Sequence, residues 1–256
     1  MGARLRNRTA LVTGSTSNIG QAIAEAFAAE GAHVVVSGRS RERGARVVEN
    51  IRAAGGRADF VAADLDGSPA ASRALAERSR QMLGGRIDIL VNNAGIYPGD
   101  VTTATDEETF DRVYAVNVKA PFFLTADVAP RMAAEGGGTI VNLGSWVARL
   151  GIPVGALYSS TKGAVETLTR AWSAEFGPRG VRVNAISPGV VGVVAPEGAG
   201  SHPAEVMMRG TPAGTIGSAR DIARAAVWLA SDESVFVHGT VVDVDSGRTG
   251  SAVIAG

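Results

Sequence analysis

Apolar residues along the chain fall into two alternating patterns. Runs of four to six residues rich in Val, Ile and Leu occur at Thr9–Val12, His33–Ser37, Ala58–Val61, Ile87–Asn92, Thr139–Leu143, Arg182–Ile186 and Thr240–Val244, and each predicts a strand. Between them the apolar positions take a helical period, over Ile19–Ala29, Arg41–Ala54, Pro69–Met82, Asp106–Ala134, Leu157–Phe176 and Ala219–Ala230. Strands separated by helical lengths pair in parallel through right-handed crossovers, with helices covering both faces. The expected fold is α/β, a doubly wound parallel seven-stranded sheet of Rossmann type, in a single domain over residues 1–256.

Local signals agree with this pattern. Thr105–Glu108 and Ser218–Asp221 have capping-box spacing before helical stretches. Gly31, Gly55-Gly56 and Gly136-Gly137-Gly138 stand where helices must stop before the next strand. The regular alternation breaks at 189–217, which is rich in Gly, Ala and Pro and too long for an ordinary connection. It follows the carboxyl end of a strand, where open α/β sheets place ligands, so it is expected to form a lid.

Composition removes several classes of function. The chain has no cysteine, which excludes disulfides and thiolate chemistry, and its histidines, His33, His202 and His238, lack ligand spacing, so no metal site is expected. Formal net charge is zero and the basic residues are scattered, which gives no footprint for nucleic acid or an anionic membrane. The first residues contain no apolar signal core, Arg6 stands where a myristoylation motif needs Ser or Thr, and no apolar run reaches spanning length. A cytoplasmic protein is expected.

Three stretches carry candidate chemistry. Thr13-Gly14-Ser15-Thr16-Ser17-Asn18-Ile19-Gly20 joins the first strand to the first helix, so its backbone N–H groups and the helix N-terminus can face a pyrophosphate. Asn18 stands where a middle glycine is expected, and Asn tolerates positive φ. The second strand ends in Ser37-Gly38-Arg39-Ser40, where an acid would bind the ribose hydroxyl of NAD. Gly38 leaves space, Arg39 can grip a 2′-phosphate bidentately, and Ser40 adds a donor, so NADP(H) is preferred, with NAD(H) as the alternative. Tyr158 and Lys162 are four apart, which on a helix puts a phenol and an ammonium on one face; an adjacent ammonium favours phenolate and suits the tyrosine to acid/base work. Ser145, at the carboxyl end of the fifth strand, can hold an oxygen that receives the proton.

Taken in order, Thr13-Gly14 through Gly20, Asp64-Leu65, Asn92-Asn93-Ala94-Gly95, Asn117-Val118, Ser145, Tyr158-x-x-x-Lys162 and Pro188-Gly189 resemble the short-chain dehydrogenase/reductase family over nearly the whole chain. Val181–Gly189 and Asp221–Asp232 look like its 3-oxoacyl-(acyl carrier protein) reductase branch. The resemblance implies an oxidoreductase that interconverts a carbonyl and a secondary alcohol by hydride transfer. Tyr158 would be the general acid and Ser145 the partner of the substrate oxygen. Lys162 would bind the nicotinamide ribose and lower the tyrosine pKa, and Asn117 would orient a water behind the lysine. Asp64 and Leu65 would meet the adenine, and Asn92, Ala94, Gly95, Pro188, Gly189 and Val191 would border the cofactor. A homotetramer or homodimer is implied, using the long helices and the final strand. Substrate is expected among Ser145, Trp146, Tyr97, Ile152, Val190 and the lid, a lining apolar enough to imply a neutral or apolar group. Two departures stand out. Val190–Val194, with Val193, offers no threonine hydroxyl after Pro188-Gly189, and Asp245-Ser246-Gly247 replaces the usual Asp-Gly-Gly. The apolar tail at 252–255 would cover a neighbouring subunit. Two other functions fit the same fold, an NAD-dependent sugar or polyol dehydrogenase and a cofactor-binding regulatory protein. The first would want an acid near Gly38; the second would be expected to have lost Tyr158, Lys162 or Ser145, all of which are present.

Overall fold

A computed structural model describes residues 3–153, 155–192 and 203–251. Seven strands form one parallel sheet: β1 (Thr9–Val12), β2 (His33–Gly38), β3 (Arg57–Ala62), β4 (Ile89–Asn92), β5 (Gly138–Leu143), β6 (Val181–Pro188) and β7 (Val241–Val244). Their order is β3-β2-β1-β4-β5-β6-β7. The direction of winding reverses between β1 and β4, and that switch point opens a crevice above the carboxyl ends of the strands. Among the described residues seven α-helices cover the sheet: α1 (Asn18–Ala29), α2 (Arg41–Ala53), α3 (Pro69–Met82), α4 (Glu107–Tyr114), α5 (Ala120–Ala134), α6 (Ala156–Phe176) and α7 (Ala219–Ala230).

The strands read as continuous apolar runs because both faces are buried. Successive side chains go to opposite layers: Ala10, Val12, Val34, Val36, Ile89 and Val91 join the core under α1, α2 and α7. Leu11, Val35, Leu90 and Ile140 join the core under α3, α5 and α6. Polar side chains inside the sheet are paired across elements. Asn142 of β5 donates from Nδ2 to the Thr169 hydroxyl of α6 (2.9 Å) and accepts from Asn92 Nδ2 of β4 (2.9 Å). This fixes α6, which carries Tyr158 and Lys162, against the central strands.

Several boundaries differ from the sequence expectation. β4 begins at Ile89, two residues late, because Asp88 turns its carboxylate to the Thr9 amide and hydroxyl, both at 2.8 Å. The expected helix over 106–134 is interrupted by a π-helical turn at Ala115–Lys119. Its capping signal also shifts by one residue: Asp106, not Thr105, accepts from the Thr109 amide (2.8 Å), while Thr105 donates to the Val101 carbonyl. The second capping site is as expected, with the Ser218 amide donating to Asp221 (2.9 Å).

The expected lid lies partly outside the described residues, at 193–202, as do Val193, His202 and the tail 252–255. The described ends of that segment are stitched together by a parallel bridge between Val191 and Gly217, with the Gly217 amide donating to the Val190 carbonyl (2.9 Å). No helix of the described residues is long and apolar enough to cross a membrane, and no group of three or more His, Asp or Glu among them could hold a metal ion.

Candidate active site

A cleft of about 680 Å³ runs across the carboxyl ends of β2, β1, β4, β5 and β6. One wall is the turn after β1. Gly14 has φ +62°, and a Cβ there would lie 2.8 Å from the Ala94 Cα, so only glycine lets the two strand ends approach. A Cβ on Gly20 would come within 2.4 Å of both the Gly14 carbonyl oxygen and Asn93 Nδ2, so it packs against the turn and the side chain that braces it. Asn18 takes φ +51°, the left-handed conformation expected of it. No side chain caps the start of α1, which leaves its first N–H groups facing the cleft, a ready anion site.

Of the residues singled out in the sequence, Thr16, Ser17, Asn18, Ile19, Gly38, Arg39, Asp64, Leu65, Ala94, Gly95, Tyr97, Ser145, Tyr158, Lys162, Pro188, Gly189, Val190 and Val191 line the cleft. Others do not. Ser15 is fully buried and spends its hydroxyl on the Val12 carbonyl (2.6 Å) and the Ser37 amide (2.9 Å), so it shapes the turn from beneath. Ser40 faces away and caps α2 by accepting from the Arg43 amide. Asn92 points into the sheet toward Asn142 and Thr125. Trp146 is buried against Arg248, whose guanidinium carbon lies 4.9 Å from the ring centre. Ile152 does not reach the cleft. Gly38 leaves less space than expected: a Cβ there would meet the Thr16 side chain at 2.8 Å.

Two residues that sequence reasoning passed over, Arg43 and Glu166, take part, as does Asn93, which it read only as part of a motif. Arg43, one turn into α2, lines the cleft with Arg39, and their four-residue spacing was a readable signal. Among the described residues neither forms an ion pair. Asn93, rather than Asn92, braces the glycine turn through Nδ2 to the Thr13 (2.8 Å) and Gly14 (3.1 Å) carbonyls. Glu166 lies buried behind Lys162, and nothing in the local sequence distinguishes it from a surface acid.

At the β5–β6 end of the cleft three side chains converge. Ser145 follows β5, while Tyr158 and Lys162 stand one turn apart on α6. Tyr97 packs edge-on against Tyr158 with ring centres 4.9 Å apart. The Lys162 ammonium is 5.5 Å from the centre of the Tyr158 ring and donates to the Leu143 carbonyl at 2.7 Å. Burial pushes the phenol up to about 12, opposed by hydrogen bonding with Ser145. Burial takes Lys162 down to about 8, opposed by Glu166. The expected lowering of the phenol by the lysine is therefore not found in the protein alone. Desolvation dominates the phenol, and the ammonium is engaged by a neutral carbonyl. Asn117 lies behind the cleft lining rather than on it. It sits in the π turn and clamps Ile96, accepting from its amide (2.9 Å) and donating to its carbonyl (3.0 Å), while its second amide hydrogen goes to Thr161 (3.1 Å). Both amide hydrogens are committed, so its side chain holds the Gly95–Ile96 backbone in place.

These residues fit a nicotinamide dinucleotide on structural grounds. The glycine turn is open to a pyrophosphate, the α1 N-terminus is uncapped, two unpaired arginines mark one end, and a buried lysine marks the other. At Ser246 the chain takes φ +66°, so the serine keeps the left-handed turn that glycine usually supplies. A Cβ on neighbouring Gly189 would fall 2.6 Å from the Asp245 Cα, which explains the glycine there.

Comparison with known proteins agrees with this geometry. A family model described as enoyl-(acyl carrier protein) reductase matches residues 14–249. The A-factor type gamma-butyrolactone 1′-reductase (1S-forming) of Streptomyces virginiae is 39% identical, covering 96% of each chain. The 3-oxoacyl-[acyl-carrier-protein] reductase of Thermotoga maritima is 33% identical over 95% of this chain and 98% of that protein. Among solved structures, a short chain dehydrogenase/reductase family protein is 40% identical with a TM-score of 0.85, covering 97% of this chain and all of that one. A gluconate 5-dehydrogenase from Burkholderia cenocepacia J2315, in complex with NADP and tartrate, is 33% identical with a TM-score of 0.88 and covers 97% and 98%. A 7α-hydroxysteroid dehydrogenase complexed with NADH and 7-oxo glycochenodeoxycholic acid is 33% identical with a TM-score of 0.88 and covers 99% and 97%.

Proposed function

The chain belongs to the short-chain dehydrogenase/reductase family, and from that premise we propose that it is an NADP(H)-preferring oxidoreductase interconverting a ketone or 3-oxoacyl group and a secondary alcohol. The single observation behind this is the convergence of Ser145, Tyr158 and Lys162 at one end of a cleft whose other end presents Arg39 and Arg43. When bound, a nicotinamide supplies or accepts the hydride.

The chain's own residues handle the oxygen and its proton. With its pKa at about 12 the Tyr158 phenol keeps its proton throughout the neutral range, and it is positioned to donate that proton to an oxygen on which negative charge develops. The Ser145 hydroxyl, beside that phenol in the cleft, is positioned to hold the same oxygen. Lys162, at about 8, is still mostly an ammonium at pH 7 and places positive charge beneath the site. Asn117 fixes the Gly95–Ile96 segment beside the lysine: a Cβ on Gly95 would stand 3.4 Å from Asn117 Oδ1 and 3.8 Å from Lys162 Nζ.

The substrate end is lined by Tyr97, Ile96 and Val190 beside Ser145, and these mostly apolar side chains support a neutral or apolar substrate. NADP(H) rather than NAD(H) is supported by the absence of an acid at the end of β2 and the presence of two arginines there. The reading includes a cytoplasmic enzyme of one domain, with 189–217 as its lid, that works as a homotetramer or homodimer. Exposed Phe110, Phe122 and Phe236 and the open edge of β7 support the association. Its test is Tyr158→Phe in a panel of ketones and 3-oxoacyl thioesters followed by NADPH absorbance. Turnover should fall about 10²–10⁴-fold with cofactor binding kept; near-normal turnover would refute the role.

A further inference from the structure

α6 carries another ionisable side chain one turn beyond Lys162. Glu166 is 4% exposed, a burial that carboxylates accept only when paired. Its pairing is incomplete: Oε2 lies 3.7 Å from Arg149 Nε, and Oε1 has no hydrogen-bond partner. Arg149 is itself drawn to Asp243 on β7, to which two of its nitrogens donate. Over the carboxylate runs the backbone of the serine loop. A Cβ built on Gly144 would stand 3.0 Å from Oε1, and the Ser145 amide faces the carboxylate. Packing alone does not account for an acid here, because a neutral side chain of the same size would fill the space without desolvating a charge.

We propose that Glu166 is a positioning residue whose buried carboxylate is the counter-charge that keeps the Lys162 ammonium protonated and that steadies the Ser145 backbone. This rests on the reading of Tyr158 and Lys162 as the reactive pair. The charged and titratable groups around it are few. α6 itself contributes Tyr158, Lys162 and Arg170; the segment after β5 contributes Arg149; β7 and its exit contribute Asp243 and Asp245; the segment after β4 contributes Tyr97. Among these Glu166 alone raises the lysine against its burial. Burial and, less strongly, Asp243 raise the carboxyl of Glu166, while Arg149, Arg170 and the Ser145 amide hold it down.

The composition offers a direct readout. Lys119 and Lys162 are the only lysines in the chain, so lysine labelled with ¹³C at Cε gives two resonances, and Lys119→Arg identifies the one from Lys162. In Glu166→Gln, close in size to the native residue, the Lys162 titration midpoint is expected to fall by about one pH unit. The alkaline limb of the kcat profile should fall with it, while turnover at pH 6.5 changes little. Glu166→Asp should return most of the midpoint. An unmoved midpoint in Glu166→Gln, or a loss of turnover equal at every pH together with a lower Tm, would overturn the proposal. Normal turnover in Tyr158→Phe, with the Glu166→Gln shift intact, would instead overturn the reading of the pair and leave the coupling standing.

Discussion

Removing the Arg39 guanidinium tests the cofactor end of the cleft, and its cost can be worked from the geometry. Arg39 and Arg43 both line the cleft where β2 gives way to α2, and neither forms an ion pair among the described residues, so their donors are available to a phosphate. A hydrogen bond to a charged group contributes about 1.5–3 kcal/mol when protected from water. Both arginines are exposed, and screening reduces this to about 1–2 kcal/mol. Arg39→Ala should therefore weaken NADPH binding about 5–30-fold, while NADH, which has no 2′-phosphate, should change less than about twofold. Arg39→Asp should invert the preference by adding repulsion to the phosphate and an acceptor for the ribose hydroxyl. The measurement is a fluorescence titration with each cofactor at two salt concentrations; the NADPH advantage should shrink as salt rises. Equal weakening of both cofactors, or no preference in the intact chain, would refute the assignment of this end to a 2′-phosphate.

Two further outcomes follow from the brace and the buried lysine. Asn93→Ala removes two hydrogen bonds to the glycine turn and leaves carbonyls without a partner, so stability should fall by about 1–3 kcal/mol, with a Tm lower by about 3–8 °C and weaker cofactor binding. For Lys162 the folded value of about 8 lies below the ordinary 10.5, so the unfolded chain binds more protons between them and the lysine makes stability rise with pH through that window. Tyr158 acts in the opposite sense, since the folded phenol holds its proton from its ordinary 10.0 to about 12 and stability falls with pH there. Urea midpoints of Lys162→Met should lose the first slope relative to the native chain; an unchanged slope would show that the lysine is not titrating as described.

The fold was legible because a sheet buried on both faces leaves a plain record: short β-branched runs alternating with helical periods, each ended by glycine or by a polar cap. Helices over Pro69–Met82 and Ala219–Ala230 have the bounds the pattern predicts. What the pattern missed was set by contacts distant in sequence. The π turn is held by Asn117 reaching Ile96 and Thr161, residues 21 and 44 positions away. In the site, residues placed by backbone geometry were readable, such as Gly14, Asn18 and the Tyr158–Lys162 pair. Which of two adjacent asparagines faces the cleft was not, since neighbours on an extended chain point opposite ways and the turn after β4 decides between them. The tyrosine's acidity in the protein alone was not readable for a related reason. Spacing shows that two groups are near one another, but not how much water each has lost.

The five residues at Ala115–Lys119 complete a turn that 3.6 residues would ordinarily close, so α4 and α5 are out of phase although no loop separates them. Upstream, Arg112 looks into the cleft, as does Val116 within the turn; downstream, Leu124, Val128 and Met132 look into the sheet. Deleting one residue here would rotate one half against the other by about 100°, withdrawing either the rim or the packing layer from its partner. Apart from Asn117, whose side chain ties the turn to Ile96 and Thr161, the stretch therefore tolerates replacement of its side chains better than a change in their number. Around that one asparagine the constraint is a count of residues, because the count sets which way the two flanking helices face.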